Sequence, residues 1–89
     1  MIKEIHFPVE ELEQLKGKTR IITTRVSREY NRYHIKEILK TPWNELYIVA
    51  KVDKITDIKE HPFYHNLTKE QIQLISKYKK IDILTLEKV

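Results

Sequence analysis

Apolar residues along this chain change their spacing several times, and each change marks an element. Ile2, Ile5 and Phe7 alternate imperfectly with Lys3, Glu4 and His6, the pattern of a short strand over residues 2–7. Pro8 then takes a first helical position, and Glu10, Glu11 and Glu13 follow near the positive end of a helix. Val9, Leu12 and Leu15 fall three apart as one apolar stripe. Gly17, the single glycine, follows Lys16 where a left-handed C-terminal cap is expected.

Thr19–Val26 is rich in β-branched residues and reads as a strand, with Ile21, Thr23 and Arg25 on one face and Ile22, Thr24 and Val26 on the other. A polar and aromatic loop, Ser27–His34, precedes a second strand over Ile35–Thr41. Pro42-Trp43-Asn44 makes a turn. From Leu46 the alternation is clean, and it predicts Leu46, Ile48, Ala50 and Val52 inward with Tyr47, Val49, Lys51 and Asp53 opposite. Residues 56–67 are irregular. Thr68 opens a helix with Gln71 completing a capping box, and Ile72, Ile75 and Leu74 are expected on its apolar side. Ile81–Leu86 is apolar on both faces, which predicts a central strand. The order β-α-β-β-β-α-β, with hairpin-length connections, predicts an α+β fold built on a small curled sheet or barrel of about five strands with two short helices.

The 89 residues allow one domain, and 40% hydrophobic with 34% charged residues describe a globular chain. The absence of cysteine excludes disulfides, thiolate metal sites and a cysteine nucleophile. No apolar run approaches the roughly 18 residues of a membrane span, and the N-terminus has no signal-like apolar region, so a cytoplasmic location is expected. With one glycine there is no phosphate-cradling glycine loop. Ser27 and Ser76, the two serines, lack a nucleophile elbow. His61 and His65 stand four apart, but no thiolate accompanies them and only His6 and His34 remain as distant imidazoles, so no metal is expected.

Charge alters the picture more than composition does. The net +4 is unevenly spread, with residues 1–14 carrying one Lys and four Glu. All four arginines, Arg20, Arg25, Arg28 and Arg32, fall within thirteen residues, among Lys16, Lys18, Lys36 and Lys40. Such a cluster suits a polyanionic partner. Tyr30 and Tyr33 interleave with Arg28 and Arg32, combining stacking surfaces with phosphate-binding groups as single-stranded nucleic acid requires. The competing role for these tyrosines, and for Trp43, is to plug the core.

The run Leu15-Lys16-Gly17-Lys18-Thr19-Arg20-Ile21-Ile22-Thr23-Thr24-Arg25 resembles the opening motif of the ASCH family, a branch of the PUA-like domains. His34-Ile35-Lys36-Glu37-Ile38-Leu39 looks like that family's second strand, where a Gly-Asp pair usually stands in place of Lys36-Glu37, and Ile81–Leu86 is similar to its closing strand. Short versions of this kind also resemble small proteins of phage and prophage genomes. The resemblance implies one PUA-like β-barrel over residues 1–89 that binds RNA or modified nucleosides. Some members hydrolyse N4-acylated cytidines with a Lys and a Thr of the motif and a Glu elsewhere. Thr23 matches the Thr, but Arg20 stands where the Lys is expected, and a guanidinium is a poor base at neutral pH.

The expected function is therefore nucleic-acid or nucleotide binding, most simply of RNA, by a monomer without cofactor. Arg20, Thr23 and Arg25 would form the floor of a basic cleft, and Arg28, Tyr30, Arg32 and Tyr33 a flexible rim, with Lys18 adding field. The alternatives are an amidohydrolase acting on N4-acylated cytidine and a phage module that binds a protein partner.

Overall fold

A computed structural model describes residues 2–89. Its strands are β1 (Lys3–Glu4), β2 (Arg20–Val26), β3 (Ile38–Lys40), β4 (Leu46–Ile55) and β5 (Ile81–Lys88). The helices are α1 (Leu12–Leu15) and α2 (Lys69–Ser76). The strands form one sheet in the order β1-β3-β4-β5-β2, parallel only between β1 and β3. The fold is thus α+β, and β5 lies between β4 and β2, as its two apolar faces predict. The sheet is open, with β1 and β2 as its edges, so the strands do not close into the expected barrel.

One face carries the main core of Ile5, Ile21, Tyr33, Leu39, Tyr47, Val49, Leu84 and Leu86. Trp43 lids it, half-buried against Phe7 and Tyr47, with its indole N–H donating to Glu45 Oε1 at 2.6 Å. On the other face Ile81 and Ile83 are buried near Ile58 and the half-buried Ile72 and Ile75.

Several local expectations are corrected. The N-terminal helix is a 3₁₀ turn over Val9–Glu11 followed by a single α-turn, and Val9 stands 80% exposed. Gly17 has φ +80° after that turn, as a left-handed cap requires. The strand expected from Ile35 begins at Ile38, because Lys36 is left-handed (φ 75°) and Glu37 N–H donates back to His34. Along β4 the buried residues are Tyr47 and Val49, not the predicted set. A bulge between Val49 and Lys51 shifts the phase and returns Val52 to the core face. The capping box at Thr68 and Gln71 forms as predicted.

Candidate nucleic-acid interface

Alternation along β2 decides where its candidate residues go. Ile21, Thr23 and Arg25 pair across to Leu86, Leu84 and Asp82 on the core face, whereas Arg20 points to the opposite face. Five residues of strand, about 16 Å, separate Arg20 from Arg25. Arg20 pairs with Glu87 on the neighbouring strand at 3.2 Å and is well exposed. The structure therefore does not bring Arg20, Thr23 and Arg25 together as one floor. Lys18 is exposed beyond the Arg20 end of the strand.

At the other end of β2 the arginines are knitted into carboxylates and aromatic rings. The Arg25 side chain is 10% exposed, with its guanidinium 4.8 Å from the Phe7 ring centre and 3.4 Å from Glu29 Oε1. Burial pulls its pKa below the ordinary value against the opposing pull of Tyr33, Glu29 and Glu11. Its Nε has no hydrogen-bond partner among the described residues. Arg32 pairs with the same Glu29 at 3.3 Å. Tyr33 is buried and donates its hydroxyl to Glu29 at 2.8 Å. Burial, and then that bond, push the Tyr33 phenol up to about 12. Tyr33 is a core plug, not a stacking surface.

Nor is the 27–33 segment a loose rim. Ser27–Glu29 forms a 3₁₀ turn, and Ser27 and Asn31 take left-handed φ values of 57° and 64°. The fully buried carboxylate of Asp82, between the buried Ile81 and Ile83, accepts the Asn31 N–H at 2.7 Å and pairs with Lys54 at 2.9 Å. Lys54 also lies 4.5 Å from the centre of the half-buried Tyr30 ring. Asp82 thus anchors this segment to the central strand.

Held this way, the segment forms one wall of a groove that sequence reasoning missed. Val26 pairs with Ile81, so Ser27 and Lys80 leave the sheet side by side. The chain entering β5, Lys77-Tyr78-Lys79-Lys80, faces Ser27 and Tyr30 across a shallow cavity of about 460 Å³. Among the described residues Arg28, Lys77, Lys79 and Lys80 have no carboxylate in ion-pair range. The available signal was a tyrosine set within a run of lysines directly before the central strand.

Of the predicted site residues, Tyr30 lines this groove, and Arg28, next to Ser27 in the chain, is exposed but not part of its lining. Thr23 lines a different cavity along the outer edge of β2, whose lining includes neither Lys18 nor Arg20. No group of three or more His, Asp or Glu that could hold a metal occurs among the described residues, and His61 already engages Thr24 and the Phe63 N–H. No helix among them is long and apolar enough to cross a membrane. No family model, curated protein or solved structure matches the chain.

Proposed function

We propose that this protein binds single-stranded nucleic acid, most simply RNA, across the groove between Ser27–Tyr30 and Lys77–Lys80. The observation that carries the reading is the placement of two tyrosines among cations that have no carboxylate in ion-pair range among the described residues. Arg28, Lys77, Lys79 and Lys80 hold phosphates, and Tyr30 and Tyr78 offer ring surface to bases. Arg25 and Arg32 support this wall with their charges directed to Glu29 rather than to a ligand, and Tyr33 donates its hydroxyl to the same carboxylate. The mechanism is anchoring and stacking without chemistry.

A PUA-like origin within the ASCH family is part of the same proposal. Lys36, where that resemblance expects glycine, has the left-handed backbone that glycine serves. Glu37, where it expects aspartate, caps the same turn through the His34 N–H. The sheet would then be an opened version of the family's barrel.

The test is a titration of labelled single-stranded RNA and DNA at several salt concentrations. For single strands, log affinity should fall against log salt by about 0.7 per neutralised phosphate. Replacing Lys79 and Lys80 with alanine should flatten that slope by about two contacts' share. An unchanged slope in that variant, or no binding at low salt, would overturn the assignment.

A further inference from the structure

The far side of β2 offers a different kind of surface. Among the described residues β2 pairs with β5 alone, and the Lys88 N–H donates to the Thr19 carbonyl. This register turns the backbone groups of Thr19, Ile21, Thr23 and Arg25 toward β5. It leaves those of Arg20, Ile22, Thr24 and Val26 facing outward. Among the described residues, none of these outward groups takes another backbone partner. Edge strands are ordinarily blunted by shortness, proline, a bulge or charge. β2 is seven residues long, pairs without a bulge and is uncharged at its centre, Ile22-Thr23-Thr24.

A slot of about 480 Å³ runs beside this edge. Pro8 and Glu11 wall it on one side, and Phe63, Leu67, Leu74 and Ile75 on the other. Ile22, Phe63 and Leu74 are 39%, 44% and 64% exposed, so apolar surface is gathered at an edge with unused hydrogen-bonding groups.

We propose that this slot takes an extended segment of a partner protein as a sixth strand, with apolar side chains against Ile22, Phe63 and Leu74 and a lysine or arginine facing Glu11. Charge selects that occupant. The slot's one carboxylate, Glu11, belongs to the acidic segment of the chain, and neither Glu10 nor Glu11 has a cation within ion-pair distance among the described residues, with Glu11 acting on the largely buried Arg25 only at longer range. That field repels nucleic acid and attracts a basic strand, so the slot is separate from the lysine groove. Backbone pairing supplies affinity, and alternate side chains supply selectivity.

The probes are a synthetic peptide of alternating lysine and valine, its glutamate–valine counterpart, and a lysine–valine peptide N-methylated at every second amide. The expected result is slowed amide exchange at Ile22 and Thr24 with the lysine–valine peptide and not with the other two. The Leu74→Lys variant, at an exposed helical position, should weaken that peptide roughly tenfold or more and leave RNA binding unchanged. Equal binding of the N-methylated peptide would overturn strand pairing, and equal binding of the glutamate–valine peptide would overturn the charge assignment. Concentration-dependent protection of the same two amides without peptide would overturn the proposal in favour of a second copy. Loss of RNA binding with peptide pairing intact would sink the lysine-groove reading alone.

Discussion

Two basic, tyrosine-bearing regions meet at one end of β2, and they differ in where their charge is used. Around Arg25 and Arg32 the guanidinium groups share Glu29, which also accepts the Tyr33 hydroxyl. Across the groove, Lys77, Lys79 and Lys80 have no acidic partner in range among the described residues. Local density of positive charge is therefore a poor guide to where unpaired cations lie in this chain. The cation left without an internal counter-ion is better placed to release counterions from a phosphate backbone. The arginine cluster builds structure, and the lysine run is available to a ligand.

The sharpest way to break this comparison is to truncate one tyrosine from each region. Tyr33→Ala should cost about 3–5 kcal/mol of stability, the range for emptying a buried aromatic site. A urea melt checks it, and a loss near zero would return Tyr33 to the surface. Tyr30→Ala should cost less stability than Tyr33→Ala but weaken RNA by about 1–3 kcal/mol per stacked base. Titrations of both variants under folding conditions separate the two roles.

Glu29→Gln attacks the structural region through its shared acceptor. It leaves the largely buried Arg25 without its counter-ion while Nε already lacks a partner among the described residues. The expected loss is about 1–3 kcal/mol in the same melt, with the salt slope of RNA binding preserved. An altered slope would mean that the arginine cluster faces the ligand after all.

The two regions also differed in how far the sequence disclosed them. Features set by neighbours in the chain were legible, among them the Thr68–Gln71 capping box, the Gly17 cap, and the central position of Ile81–Leu86 read from its apolar faces. Features set by pairing between distant segments were not. The lysine groove depends on Val26 meeting Ile81, fifty-five residues later, and the anchor that orders its wall is a single Asp82 between the buried Ile81 and Ile83. In β4 the strict alternation pointed to the wrong face, because an extra residue at Ala50 resets the phase. The inward positions therefore follow the large Tyr47 rather than the longest regular series. Charge counting favoured the arginine window, since ion pairs with Glu29 and Glu87 are invisible without the turn and the strand register that make them.

Single lysine substitutions should have smaller effects. Lys79→Ala or Lys80→Ala should each flatten the salt dependence by about 0.7 in log–log slope. Arg32→Ala and Arg20→Ala, which each remove a cation already paired with a glutamate, should leave it unchanged. Anisotropy titrations over a range of salt provide the comparison.

The gentlest probe is pH, which should act on a buried group and spare the groove. His61 is 6% exposed, and its Nδ1 accepts the Phe63 N–H at 3.0 Å. The proton therefore sits on Nε2, which donates to Thr24 Oγ1 at 2.9 Å. Burial holds its pKa below the ordinary 6.5, because the folded site disfavours the cation. On acidification the unfolded chain takes up this proton first, so the contribution is complete above about pH 6.5 and is lost as pH falls through the folded value. Melting temperature should accordingly decline as pH falls below about 6.5, and His61→Gln should flatten that decline. The Glu45 carboxyl, held below its ordinary 4.5 first by its bond with Lys88, loses its contribution further into acid. RNA salt slopes taken across the same interval should not move while the protein remains folded. A slope that tracked the His61 titration would join the β2 edge to the lysine groove and remove the independence of the two surfaces.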